Sequence, residues 1–229
     1  MKKLKVMLYG AVALIASITV TPLMAGSGDF AGPYIAIQGS SLGSELDGSY
    51  TDGDGTVTNG HAGILAQVGG AEIGYNIPVS DTLFISIGGT YFPGEAEISK
   101  HDDAADAADV KVEASEFWTA YIAPSISVTD NSAVFIKIGV SEADLSITGD
   151  YTGTASSSLE GDTVAIGTKT IFGNGVFIQS EAGLTEYDQI QVNDIGTAET
   201  NDSGDTDGSG DVKADPSVAY GAITIGHKF

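Results

Sequence analysis

Four ionisable residues stand inside segments otherwise built of apolar or small side chains: Glu72, Lys137, Lys169 and Glu181. Two carboxylates and two ammonium groups can neutralise one another through charge-assisted hydrogen bonds, which is the chemistry of a buried polar network rather than of a reaction. Glu72 lies six residues before Pro78, Lys137 five after Ser132, Lys169 four before Gly173 and Glu181 six after Gly175. Each count starts at a tight-turn signal, so the four residues share a similar depth if the turns share one end of the structure. Gln38, Gln179 and Thr224 are further hydrogen-bonding neighbours for such a network. Two roles are open to it: closing a passage to ions, or satisfying a polar interior.

Other reactive groups are sparse. His61 and His101 fall in polar connections and His227 near the last residue, so a His-centred catalytic group would have to be assembled from distant loops. No catalytic, cofactor-binding or metal-ligating residue is assigned. Ser203, Asp205, Asp207, Gly208 and Asp211 match part of the spacing of an EF-hand loop, but position twelve falls on Ala214 rather than Glu. Asp52-Gly53-Asp54-Gly55 is a still shorter acidic fragment. The bland reading of both is a solvated acidic loop; the sharper one is loose binding of divalent cations. Tyr91, Phe92 and Trp118 suit an aromatic girdle at a membrane boundary better than a substrate box.

The elements that must position these residues are bounded by composition. The chain has 229 residues with 31 Asp+Glu against 9 Lys+Arg, a formal net charge of -22 and no Cys. That length allows one domain and hardly two. The charge excludes nucleic-acid binding through a basic patch, and the missing thiols exclude disulfides, a thiolate zinc site and a Cys nucleophile. No cofactor is called for.

Residues 1–25 read as a secretory signal peptide. Lys2, Lys3 and Lys5 precede an uncharged, largely apolar run over 6–20, and Leu23-Met24-Ala25-Gly26 offers small residues at a cleavable spacing. The alternative is a membrane-spanning helix, since 6–25 is close to the roughly 20 residues a bilayer requires. Cleavage after Ala25 would leave six Lys against 31 acids, a net charge of -25.

Residues 26–229 carry no amphipathic helix of useful length and read as all-β. Strands are expected near 33–44, 63–77, 82–93, 110–127, 133–147, 163–172, 176–190 and 217–229. The connections alternate in length. Pro78-Val79-Ser80-Asp81, Val128-Thr129-Asp130-Asn131-Ser132 and Gly173-Asn174-Gly175 are of tight-turn composition. The other four connections, 45–62, 94–109, 148–162 and 191–216, hold 20 of the 31 acids. One end of the structure therefore has short turns and the other long acidic loops, the sidedness of an outer-membrane barrel. Strand faces agree: Val134, Ile136, Ile138 and Val140 alternate with Phe135, Lys137, Gly139 and Ser141. Small residues suit the crowded interior of a narrow barrel while the apolar face meets lipid. An open sheet edge in hydrocarbon would leave backbone groups unpaired, so the sheet must close. The expected fold is an eight-stranded antiparallel up-and-down transmembrane β-barrel.

Gly32-Pro33-Tyr34-Ile35-Ala36-Ile37 and the stretch from Ala219 to Phe229, an alternating last strand ending in an aromatic residue, resemble the small outer-membrane β-barrel superfamily. That superfamily includes the OmpA transmembrane domain, OmpX and the opacity-type surface proteins. The resemblance implies a Gram-negative outer-membrane location, lipid as the surrounding partner, and Phe229 as the signal read by the barrel-assembly machinery. His227 departs from the aromatic residue often found two places before that end. The scaffold hosts unrelated functions, so it implies architecture more than activity. The favoured function is a non-enzymatic surface or structural protein displaying four acidic extracellular loops. The rivals are a narrow porin-like channel for small solutes or cations, and a secreted soluble β-protein.

Overall fold

The computed structural model describes residues 26–51, 55–100, 110–149, 155–195 and 210–229. The signal segment 1–25, Asp52 to Asp54, His101, and Ser203 to Gly208 lie outside them. The strands are β1 (Gly32–Thr51), β2 (Val57–Pro78), β3 (Leu83–Lys100), β4 (Val110–Thr129), β5 (Ser132–Gly149), β6 (Ser158–Ile171), β7 (Val176–Tyr187), β8 (Ile190–Ile195) and β9 (Gly210–Lys228). Each pairs antiparallel with its neighbour in the order β1-β2-β3-β4-β5-β6-β7-β9-β8, and β1 also pairs β9, closing the sheet on itself.

Nine strands make eight staves. β7 pairs β9 only as far as Glu186 with Ser217, and β8 then takes over the same edge, from Ile190 with Ala214 to Ile195 with Gly210. A break at Asp188 and Gln189 thus divides one stave into β7 and β8.

The strands run further from the tight-turn end than the alternation of side chains suggests. β1 continues to Thr51 rather than 44, β2 begins at Val57 rather than 63, and β9 begins at Gly210 rather than 217. The ladder between β1 and β2 is unbroken from Gly32 with Asn76 to Thr51 with Val57. Residues 57–61 are exposed whichever way they point. A strand wetted on both faces needs no period-two pattern, so its polar composition reads as loop although the backbone stays paired. Residues 211–214 are likewise paired with β1 on one side, and 210 and 212–214 with β8 on the other, so the second half of the EF-hand-like spacing is strand.

Around the tight-turn half, odd-numbered residues of β1 to β3 and of β9 form an outward apolar belt. Ile37 is 70 %, Ile73 66 % and Ile225 50 % exposed. So much bare aliphatic surface is untenable in water and expected against lipid. Tyr91 and Trp118 are cross-strand partners on the outward face at the loop side of this belt, whereas Phe92, expected with them, has the opposite parity and packs inward over Gly70.

Inward positions solve a volume problem. Eight staves leave just enough interior for side chains, so large inward residues need small ones opposite. Tyr34 lies where a Cβ on Gly74 would go, Tyr121 covers Gly88, Phe135 covers Gly167, Tyr220 covers Gly183 and Phe177 covers Gly226. From the tight-turn end the lumen is filled in layers. A short 3-10 turn, Ser27–Phe30, folds across the mouth and stacks Phe30 on Phe84 at 4.9 Å between ring centroids. Asn76 Nδ2 donates to the Phe30 carbonyl at 2.7 Å, and Tyr34, Ile171 and Phe177 complete this apolar layer. The charged residues come next. Beyond them a chain of hydroxyls, Thr119, Ser141, Thr163 and Thr185, links four staves at 2.6–2.7 Å. Leu145, Leu159, Ile190 and Val192 form a second apolar cluster at the loop end.

Gly167→Ala forces its methyl into the Phe135 ring and the Ser180 carbonyl, whereas a Cβ at Gly221 meets nothing within 4 Å. Gly167→Ala should destabilise the barrel by about 1–3 kcal/mol by overpacking, and Gly221→Ala by less than about 0.5 kcal/mol. Urea unfolding in detergent micelles, followed by heat-modifiable migration, measures both.

Candidate functional site: the lumen charge network

Parity along each strand decides what enters the lumen. Glu72 shares the inward face of β2 with Gly74 and Asn76, Lys137 that of β5 with Phe135 and Ser141, Lys169 that of β6 with Thr163 and Ala165, and Glu181 that of β7 with Phe177 and Gln179. The structure places all four charged residues in the interior, 2–6 % exposed.

They are joined unequally. Lys137 Nζ lies 2.6 Å from Glu181 Oε2 and 2.9 Å from Glu181 Oε1, a bidentate pair. Its distance to Glu72 Oε2 is 3.7 Å, within ion-pair range but beyond hydrogen bonding. Glu72 is fixed instead by Tyr121, whose hydroxyl donates to Oε1 at 2.8 Å and shares a proton contact of 2.6 Å with the Tyr34 hydroxyl. Gln179 Nε2 donates to Glu181 Oε2 at 3.1 Å. Lys169 is held by rings: its ammonium sits 4.3 Å from the Tyr34 centroid and 4.6 Å from that of Phe177. Lys137 lies over Tyr121 at 4.4 Å. Ring faces carry negative charge and attract a desolvated cation, worth about 2 kcal/mol at such a site.

Two acids and two lysines cancel in formal charge, which is the condition for burying them at all. Gln38 donates to Ser40 at 3.0 Å and so faces the next layer rather than the charges. Thr224, in register with both Gln38 and Gln179, is fully buried, and its hydroxyl makes no hydrogen bond to the protein. Beside the lysines, a void lined by Tyr34, Ser86, Tyr121, Ser125 and Gln179 holds about 10 Å³. That is space for about one water and no ion with its hydration shell.

Tyr34, Tyr121 and Phe177 are the members of the network that reasoning from charge alone passes over. Their signal was available: Tyr34 has the parity of Gln38, and Tyr121 lies on the small-residue face of its strand. His61 and His227 take no part, since both are exposed on the outer wall, the latter tilted against Phe229 at 5.0 Å. Among the described residues no group of three or more His, Asp and Glu is placed to hold a metal ion.

Neither a family model nor a curated protein matches the sequence. Solved structures do. The outer membrane protein OprG from Pseudomonas aeruginosa is similar at 14 % identity and a TM-score of 0.50, over 87 % of this chain and 97 % of that one. Ail, the attachment invasion locus protein of Yersinia pestis, is similar at 8 % identity and a TM-score of 0.40, over 85 % and 99 %. The outer membrane protease OmpT from Escherichia coli is similar at 7 % and 0.41, over 86 % and 97 %. The chain has the fold of a Gram-negative outer-membrane β-barrel. Identities this low establish architecture and leave activity undecided, the more so for the two likenesses below 0.5. The apolar belt belongs in the hydrocarbon of that membrane, which makes the tight-turn end periplasmic and the β8 end extracellular.

Lys137→Met removes the cation between two buried carboxylates and should destabilise the barrel by about 3–5 kcal/mol. Adding Glu181→Gln should recover part of that loss, giving a coupling energy well above zero in the double-mutant cycle, read from urea midpoints in micelles. Additive losses would mean the two side chains do not interact.

Proposed function

We propose that the protein is a non-enzymatic surface or structural protein of the outer membrane, a barrel sealed along its axis that presents an acidic exterior to the outside. The single observation that carries this reading is the pair Lys137–Glu181 at 2.6 Å, packed between Tyr121, Glu72 and Gln179 with a void beside it of about one water. A permeating ion would have to separate that pair and displace the Tyr34–Tyr121–Glu72 chain from a low-dielectric interior, where lost charge partners cost several kcal/mol. Phe30 and the extracellular apolar cluster supply further barriers on the same axis.

The exterior is acidic in an ordered way. In register with Trp118, Glu142 is also the cross-strand partner of Glu160, and on the next strands Asp162 is that of Glu186. Like charges placed opposite one another repel. Divalent cations are the partners we propose for this rim and for the acidic connections, since a cation between two carboxylates relieves the repulsion and can bridge to anionic groups nearby. The barrel-assembly machinery is the partner we propose for the last strand. Contacts with other surfaces or ligands would then use the extracellular ends of the strands, leaving the lumen as a structural element.

In planar bilayers the folded protein should give no steady conductance, and Lys137→Met or Glu181→Gln should produce intermittent openings. A steady open conductance that barely changes in either variant would contradict the sealed lumen and favour the narrow channel.

A further inference from the structure

The wall is not continuous to its rim. β2 and β3 pair only from Pro78 with Phe84 up to Ala71 with Tyr91, although β2 continues outward to Val57 and β3 to Lys100. Over residues 57–70 β2 keeps β1 as its partner on one side, and among the described residues it has no ladder partner on the other. At ~3.3 Å per residue this is an edge of about 45 Å without a ladder partner among the described residues.

The two lips of the opening differ. The β3 lip has Pro93, register shifts at Phe92/Glu95 and Glu97/Ser99, and the charged residues Glu95, Glu97 and Lys100 in its sequence. Proline, bulges and charge are the devices that stop an edge from accepting another strand. The β2 lip, Val57-Thr58-Asn59-Gly60-His61-Ala62-Gly63-Ile64-Leu65-Ala66-Gln67-Val68-Gly69-Gly70, has no proline, no Asp, Glu, Lys or Arg, and a regular register. The opening starts at Tyr91, beside Trp118 at the loop side of the belt, and the edge runs from there toward the loop end, where backbone without a strand partner is tolerated; Leu65 on its outer face, 86 % exposed, is an apolar side chain that an added strand would cover.

We infer that the β2 edge over residues 57–70 is a docking site for an extended, cationic polypeptide segment, which adds to it as a further strand. A second copy in the same membrane does not fit. Both copies run β2 from outside to periplasm, so a two-fold axis along the membrane normal would bring the edges together running the same way and crossed by twice the strand tilt of about 35–45°. Charge selects the occupant. Glu45 and Asp47 on β1 are exposed on the outer face, in register with Gly63 and His61. Gly63 has no side chain, so a lysine or arginine on an added strand reaches across it to the Glu45 carboxylate. Main-chain hydrogen bonds supply attachment and the alternate basic side chains supply selection. The inference holds whether or not the lumen conducts.

The test uses the full mature chain refolded in lipid nanodiscs and a fluorescent twelve-residue peptide of alternating Lys and Val. The peptide should bind, and a peptide of equal charge interrupted by two prolines should bind at least about tenfold more weakly, because each proline removes a main-chain donor. Glu45→Gln should weaken binding of the alternating peptide about two- to fivefold, the range for a partly exposed ion pair. The chain has no cysteine of its own. A peptide carrying a terminal cysteine should therefore form a disulfide with Gln67→Cys on the edge and not with Val140→Cys on another part of the wall. Equal binding of the two peptides, or equal cross-linking at both cysteines, would reduce the effect to general attraction by an acidic protein and overturn the inference.

Discussion

Backbone hydrogen bonding inside hydrocarbon governs this molecule. Each N–H or C=O left unpaired in lipid costs several kcal/mol, with no water to take up the deficit. The sheet must therefore close, and it does so through β1 and β9, paired from Tyr34 with Lys228 to Thr51 with Asp211. The same constraint marks where the wall can open. β2 and β3 stay paired as far as Tyr91 and part beyond it, where the aromatic pair Tyr91 and Trp118 stands at the loop side of the apolar belt.

Closure with eight staves then dictates the interior. A cylinder this narrow is filled by its own side chains, and inward glycines give room to inward aromatics. The aromatics in turn give two lysines something to rest on. Tyr34 serves three purposes at once: it packs over Gly74, shares a hydrogen bond with Tyr121, and lies under Lys169. The charges at mid-depth are thus held by a layer that volume alone required. On the reading proposed above, what they add is a desolvated obstacle on the barrel axis.

Much of this was legible in the chain. The tight turns at 78–81, 128–132 and 173–175 and the period-two alternation between them were enough for the number of staves. Glu72, Lys137, Lys169 and Glu181 stood out because no charge is affordable on the lipid face. The extracellular half was harder to read. Residues 57–61 are exposed on both faces and none of 45–51 is buried, so they lose the alternation that betrays a strand, and β8 is too short and too polar to separate from a loop. The division of β2 from β3 left no mark in local sequence beyond the contrast between an uncharged lip and one carrying Pro93. Tyr121 was passed over because an inward tyrosine in a small-residue register reads as packing until its hydroxyl is seen on Glu72.

Backbone amide hydrogen exchange on the protein in lipid vesicles tests the central claim most directly, because it reads closure and its limit together. Slow exchange is predicted on both sides of the β1–β9 seam, at Ile35, Ile37, Ile223 and Ile225, and across β3 from Ile85 to Tyr91, with fast exchange at alternate amides over residues 57–70. Fast exchange along the seam would mean that the sheet does not close and would contradict the account.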